Sequence, residues 1–227
     1  MKSAAIMSPH VDDFVEHVVA LPERELGLLA PRDGDALLSE EAFAQEEFLP
    51  YWAELWPSAM ALARVIARRP LTGRRVIELG CGLGLPAIAA ALAGGRVLAT
   101  DWSPASVAMT ARNARHNGAA LDAAVFRWDA PPERLGPPWP LVIASDVLYE
   151  ARNVPSLLEL LPRLAAAGGE VWLADPGRTP AERFLERAAL TWRLDAMPHD
   201  GPAHVTVHRL KPAASGDSPR RIRHRSR

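Results

Sequence analysis

The sequence predicts an α/β fold: a Rossmann-like, doubly wound, mostly parallel seven-stranded sheet with an antiparallel edge strand and an N-terminal helical cap. Three observations carry this. From Arg75 onward, short β-branched or apolar runs alternate with stretches of helical pattern. The first run closes in Glu78-Leu79-Gly80-Cys81-Gly82-Leu83-Gly84, a glycine-rich turn from strand to helix. Two late alternating segments, Thr191–Ala196 and His204–Leu210, follow the last helix with no crossover helix between them, which predicts an antiparallel pair at the sheet edge.

The parallel strands are expected at Arg75–Glu78, Arg96–Asp101, Ala123–Phe126, Leu141–Asp146 and Glu170–Ala174. Punctuation marks the helices between them. Pro86 suits the first turn of a helix that stops at Gly94-Gly95, and Ser103-Pro104 reads as the N-cap and first residue of one ending at Asn117-Gly118. A helix over Pro155–Ala167 stops at Gly168-Gly169, and Thr179-Pro180-Ala181-Glu182 has capping-box spacing for a helix reaching Ala189. Before Arg75 the pattern predicts a helix over Asp12–Ala20, a loop near Pro31–Asp35, and a helix from Ser58 to Arg69. In that last helix Ala59, Leu62, Ala63, Val65 and Ile66 form one apolar face. Residues 1–70 therefore read as a cap packed on the core, 71–210 as the core itself, and 211–227 as a disordered basic tail.

With 227 residues, of which 48% are apolar, the chain can bury the core of one large domain. Its formal charge of −1 hides an asymmetry, because Lys211 and five arginines against Asp217 make the tail strongly basic and leave the body acidic. An acidic body argues against nucleic acid as an obligatory partner. The tail reads as a solvated segment or cloning remnant, or as a contact for nucleic acid or an acidic partner. Cys81 is the single cysteine, which excludes an intramolecular disulfide, and no Cys/His cluster offers zinc spacing, so no metal is expected. The apolar run Ala4–Met7 is cut off by Ser8-Pro9-His10, too short for a signal segment, and nothing approaches the roughly 20 apolar residues of a membrane span. A soluble, cytoplasmic monomer is the expectation.

The glycine loop separates two cofactor classes. A dinucleotide fingerprint places its third glycine where Leu85 stands; here Gly80, Gly82 and Gly84 follow at two-residue steps around Cys81. Glu78, two residues before the first glycine, suits the ammonium of a methionine moiety and would repel a pyrophosphate. The loop therefore favours S-adenosylmethionine over NAD. Asp101 ends the second core strand, where a carboxylate accepts both ribose hydroxyls or balances the dipole of the next helix. Trp102 beside it packs on the adenine edge or in the core. Trp128 and Asp129 follow the third strand at the carboxyl edge, where a ring and a polar partner for the adenine fit. Ser145-Asp146-Val147-Leu148-Tyr149 follows the fourth. Asp146 and Tyr149, three apart, can face one side of a helical turn, and the carboxylate can orient or deprotonate an incoming amine. Alone, Asp146 reads as a cap.

Taken together, Tyr51-Trp52-Ala53-Glu54-Leu55-Trp56-Pro57, the glycine loop, Asp101, Trp128 and Asp146-x-x-Tyr149 resemble the seven-β-strand methyltransferase family over residues 45–210. That family includes protein-lysine methyltransferases and the nicotinamide-methyltransferase-like bacterial proteins. The resemblance implies that Trp56 touches the cofactor, that Ser145 lines it, and that Asp146 and Tyr149 form the D-x-x-Y motif. Ala174-Asp175-Pro176-Gly177-Arg178 is similar to the bacterial branch, which implies that Asp175 or Arg178 borders the acceptor. Tyr51, Trp52 and Trp56 then cage an aliphatic amine stem or stack on a flat heterocycle. The expected acceptor is a protein lysine or N-terminal amine. The alternatives are a small-molecule amine and a non-catalytic cofactor-binding module.

Overall fold

The computed structural model describes residues 14–32 and 51–213. A hairpin comes first, β1 (Phe14–Leu21) and β2 (Arg24–Pro31), then α1 (Pro57–Ala67), β3 (Arg75–Leu79), α2 (Leu85–Leu92), β4 (Arg96–Asp101) and α3 (Pro104–His116). The chain continues as β5 (Asp122–Val125), β6 (Trp139–Ser145), α4 (Asn153–Leu164), β7 (Ala165–Asp175), α5 (Thr179–Ala188), β8 (Trp192–Met197) and β9 (Thr206–Pro212). The main sheet is seven-stranded in the order β5-β4-β3-β6-β7-β9-β8. Strands β5 to β7 are parallel, and β9 runs antiparallel to both β7 and β8. The two late segments thus pair as expected, with the reversed strand inserted between β7 and the edge strand β8.

The strand order reverses between β3 and β6. From β3 the chain winds outward to β4 and β5, then returns to β6 on the other side of β3. Loops leaving β3 and β6 diverge there, which makes the carboxyl edge a crevice. The central strands are apolar on both faces because helices cover both. Val76, Leu141, Ile143 and Trp172 pack with α1, α2 and the hairpin, whereas Ile77, Leu79, Val142 and Leu173 pack with α4 and α5.

The helix expected over Asp12–Ala20 is instead strand β1, with residues 12–13 outside the described residues. Its Val15, Val18 and Val19 favour extended backbone, and β2 supplies the period-two pattern Leu26, Leu28, Ala30 that faces the core. Asn113 on α3 and Asn117 at its C-terminal cap, one turn apart, satisfy the outer edge of β2. Gly27 N donates to Asn117 Oδ1 at 3.1 Å and Leu29 N to Asn113 Oδ1 at 2.9 Å, while the two amide nitrogens donate back to Leu29 O and Gly27 O.

Other local expectations change too. Helix α4 ends at Leu164 rather than Ala167, because Ala165 is extended and pairs with Trp139; Gly168 (φ 71°) and Gly169 belong to an irregular start of β7. No capping box forms at Thr179, since Asp175 Oδ1 accepts from Gly177 N at 2.7 Å and Arg178 N at 2.8 Å instead. The Ser103 cap does form, its hydroxyl accepting from Ser106 N at 3.3 Å. The loop residues 33–35 and the tail from 214 onward lie outside the described residues. Among the described residues no helix is long and apolar enough to cross a membrane.

Candidate active site

The glycine loop leaves β3 at the switch point, with Gly80, Gly82 and Gly84 all left-handed at φ 68°, 53° and 87°. Cap backbone runs close over it: a Cβ on Gly82 would lie 3.3 Å from Trp52 O. From behind, α3 and β4 hold the loop in place. Ser106 Oγ donates to Gly82 O at 3.0 Å, Thr110 Oγ1 lies 3.0 Å from the same carbonyl, and Asn113 Nδ2 donates to Leu83 O at 2.9 Å. Asp101 completes the clamp, accepting from Gly82 N at 3.1 Å and Ser103 N at 3.0 Å. Burial pushes the Asp101 carboxyl above its ordinary range, opposed by these amide bonds. Ser106, Thr110 and Asn113 are fully buried, and the sequence reading passed over them. Their signal was the spacing i, i+4, i+7 on α3, which places three polar side chains on one helix face.

Glu78 lies buried beneath the loop, with Oε1 unpartnered. In a strand, side chains alternate, so Glu78 shares the face of Val76 and points beneath the loop toward α2. It is 0% exposed, and Oε2 accepts from Ala87 N at 3.0 Å, capping α2, whose Gly84 N-cap has no side chain. Burial pushes its carboxyl well above the ordinary value of 4.5, so the folded chain binds this proton more tightly than the unfolded chain does. The stability contributed by this proton is present at low pH and is lost as pH climbs from 4.5 toward the raised folded value. Glu78→Gln is expected to flatten that part of the pH dependence, read as unfolding midpoints of both proteins across pH. Parallel curves would show that Glu78 does not titrate in this window.

Above the loop lies an open cavity of about 350 Å³. Gly80, Cys81, Gly82, Gly84, Tyr51, Trp52, Trp56, Trp102, Trp128, Ser145, Asp146, Tyr149 and Arg178 all line it, together with Glu54, Leu55, Val147 and Glu150, which had not been singled out as site residues. Cys81 turns its thiol away, toward Thr110 Oγ1 at 3.2 Å, and burial raises the thiol pKa. Asp101 and Asp129 are absent from the lining: Asp101 is buried behind the loop, and the turn after β5 points Asp129 into solvent, where it pairs with Arg127 at 3.2 Å. Among the described residues no group of His, Cys, Asp or Glu could hold a metal ion.

On the β6 side, Asp146 is the only non-glycine described residue with positive φ, at 55°. Such a conformation costs on the order of 1–3 kcal/mol and is held by the surroundings. Its N–H donates to Ala174 O at 3.0 Å, Oδ1 accepts from Arg178 Nη1 at 2.5 Å, and Oδ2 is buried without a partner. Residues 146–152 form a loop rather than the helical turn expected from the spacing, yet Asp146 and Tyr149 both reach the cavity. The rings of Tyr149 and Tyr51 stand 5.4 Å apart, and those of Tyr51 and Trp56 6.2 Å apart, edge-on. Burial, then the charges of Glu150 and Asp101, push the Tyr149 phenol up, so it remains a neutral hydrogen-bond donor.

Residues 44–189 match the family described as lysine methyltransferase. The chain belongs to the lysine methyltransferase family. It is 36% identical over 178 residues to the electron transfer flavoprotein beta subunit lysine methyltransferase of Xenopus laevis, covering 74% of this chain and 70% of that protein. It is 30% identical to the protein N-lysine methyltransferase METTL21A of Danio rerio, covering 69% and 76% respectively. These relatives are vertebrate proteins, so they support the family and not a bacterial branch of it. In fold the chain is similar to SMU.776, a putative methyltransferase complexed with SAH, with a TM-score of 0.61 at 11% identity over 86% of this chain and 56% of that one.

The cavity of this methyltransferase fits S-adenosylmethionine, its cofactor. Three glycines in left-handed conformation leave backbone bare where a ligand lies against the β3 loop, and the half-exposed rings of Trp102 and Trp128 border the same space.

Proposed function

We propose that the protein methylates a lysine side chain of a protein substrate, the relatives' named reaction class. The single observation that carries this is the Oδ2 atom of Asp146: a buried carboxylate oxygen without a partner, on a strained backbone, of a residue that lines the cavity with Tyr51, Tyr149 and Trp56. Such an oxygen is an acceptor for an amine N–H. The backbone of Gly80, Cys81, Gly82 and Gly84 would hold the cofactor with Trp56 and Ser145, and Trp102 and Trp128 would flank its adenine. Asp101 sets the loop and retains lone pairs for a ribose hydroxyl. When bound, the sulfonium supplies an electrophilic methyl group.

The chain's part is to present a neutral nitrogen. A lysine amine has an ordinary pKa near 10.4 and must shed its proton to expose a lone pair. Aromatic walls strip water from the amine, which lowers its pKa, while Tyr51 and Trp52 pack on the aliphatic stem. Asp146 Oδ2 fixes the nitrogen by accepting one N–H, and the Tyr149 hydroxyl adds a second polar contact at the rim. One reduced, buried cysteine suits a reducing cytoplasm as the place of work.

The test is incubation with methyl-labelled S-adenosylmethionine and a lysate of the source organism, followed by separation of protein from small molecules. Label is expected in a protein band and, after acid hydrolysis, in methyllysine. Label confined to the small-molecule fraction, or found on carbon or oxygen, overturns the proposal.

A further inference from the structure

We infer that Arg178 is a positioning residue that makes the site select an amine over a guanidinium, by occupying one edge of the Asp146 carboxylate. This rests on Asp146 facing the acceptor. A free carboxylate at the end of β6 would be chelated through both oxygens by an arginine side chain, in the two-pronged geometry that guanidinium groups prefer. Here the chain's own guanidinium is already in place. Arg178 Nη1 binds Asp146 Oδ1 at 2.5 Å and lies 3.4 Å from Asp175 Oδ2. Asp175 is 1% exposed and is itself fixed by the Gly177 and Arg178 amides, so the guanidinium is anchored at its own backbone. Its Cζ stands 5.8 Å from the Trp56 ring centroid, against the cavity wall.

Two consequences follow for the acceptor. Only Oδ2 remains, enough for a primary amine and insufficient for a fork of N–H donors. The guanidinium also offsets one of the two carboxylate charges it bridges, Asp146 and Asp175, so the cavity, which Glu54 and Glu150 line as well, holds a second cation less firmly than it would without Arg178. A lysine ammonium releases its proton to water more readily beside the guanidinium than without it, the direction catalysis needs. A substrate guanidinium cannot do so, since it stays protonated.

The experiment uses the acceptor protein found by labelling, its Lys→Arg variant at the methylated position, and the enzyme variants Arg178→Ala and Arg178→Met. Wild type is expected to leave the Lys→Arg acceptor unmethylated. For the lysine acceptor, both enzyme variants should lose about 10-fold or more in kcat with little change in KM, as for a misplaced catalytic group. Their rising limb of kcat against pH should move to higher pH, because the neighbouring cation is gone. Millimolar guanidinium chloride, against sodium chloride at equal ionic strength, should restore part of the Arg178→Ala loss. S-adenosylhomocysteine affinity, read by calorimetry, should stay near wild type. Arg178→Met keeps the stem against Trp56 and carries the measurement if the alanine variant does not fold. An active wild type alongside variants with unchanged kcat and an unmoved pH limb, or no rescue beyond sodium chloride, overturns this inference alone. A wild type that labels no protein lysine overturns the functional reading together with it.

Discussion

Asp146→Asn is expected to lower turnover on the order of 100-fold or more while S-adenosylhomocysteine affinity changes little, the signature of a group that acts on the acceptor. Asparagine is the informative replacement, because it tolerates the left-handed φ of 55° that most residues resist, so the loop geometry survives. What changes is charge and lone pairs. The variant no longer offers Arg178 a carboxylate, and the amide can turn an NH₂ toward the amine where an acceptor is needed. Tyr149→Phe removes only the hydroxyl of a half-exposed residue and should cost less. Kinetics at saturating cofactor, with calorimetry for the product-bound state, decide the matter. Near-wild-type kcat in Asp146→Asn would remove the carboxylate from the acceptor side, whereas a proportional loss of cofactor affinity would place it with the cofactor instead.

The features that sequence conveyed well are those written locally. Gly80, Gly82 and Gly84 are legible because backbone conformation restricts these places to glycine, and the helix breaks at Gly94 and Gly118 follow the same rule, both left-handed. The parallel strands are legible because burial on both faces demands unbroken apolar runs. The misreadings come from tertiary placement. Val15, Val18 and Val19 satisfy a helical stripe as well as a strand, and only pairing with β2 and capping by Asn113 and Asn117 decide for the strand. Glu78 was assigned to the ligand from its distance along the chain, yet strand alternation aims it under the loop at Ala87 N. Asp129 was placed by a related inference, and the turn after β5 carries it into solvent beside Arg127. The Arg178 bridge between Asp146 and Asp175 joins the ends of two adjacent strands, β6 and β7, and no spacing within one segment reports that.

Gly84→Ala is expected to cost about 2–5 kcal/mol of stability and to abolish measurable S-adenosylhomocysteine binding, because two penalties fall on one methyl group. The first is conformational: φ is 87°, and an L-residue pays about 1–2 kcal/mol there. The second is steric. The added Cβ would lie 2.8 Å from Thr110 Cγ2, 3.0 Å from Oγ1 and 3.1 Å from Cβ. These atoms sit at the base of a β-branched side chain on α3 and cannot swing aside as the end of a flexible one would. Thr110 is also part of the clamp on Gly82 O, so moving it releases the loop that faces the ligand. Gly118 separates the two effects, being left-handed at φ 65° with nothing within 4 Å of its would-be Cβ. Gly118→Ala should therefore pay only the conformational cost, about 1–2 kcal/mol, and bind S-adenosylhomocysteine as wild type does. Denaturant unfolding and calorimetry on the pair test this, and equal stabilities with equal affinities would mean that α3 does not hold the loop in its binding shape.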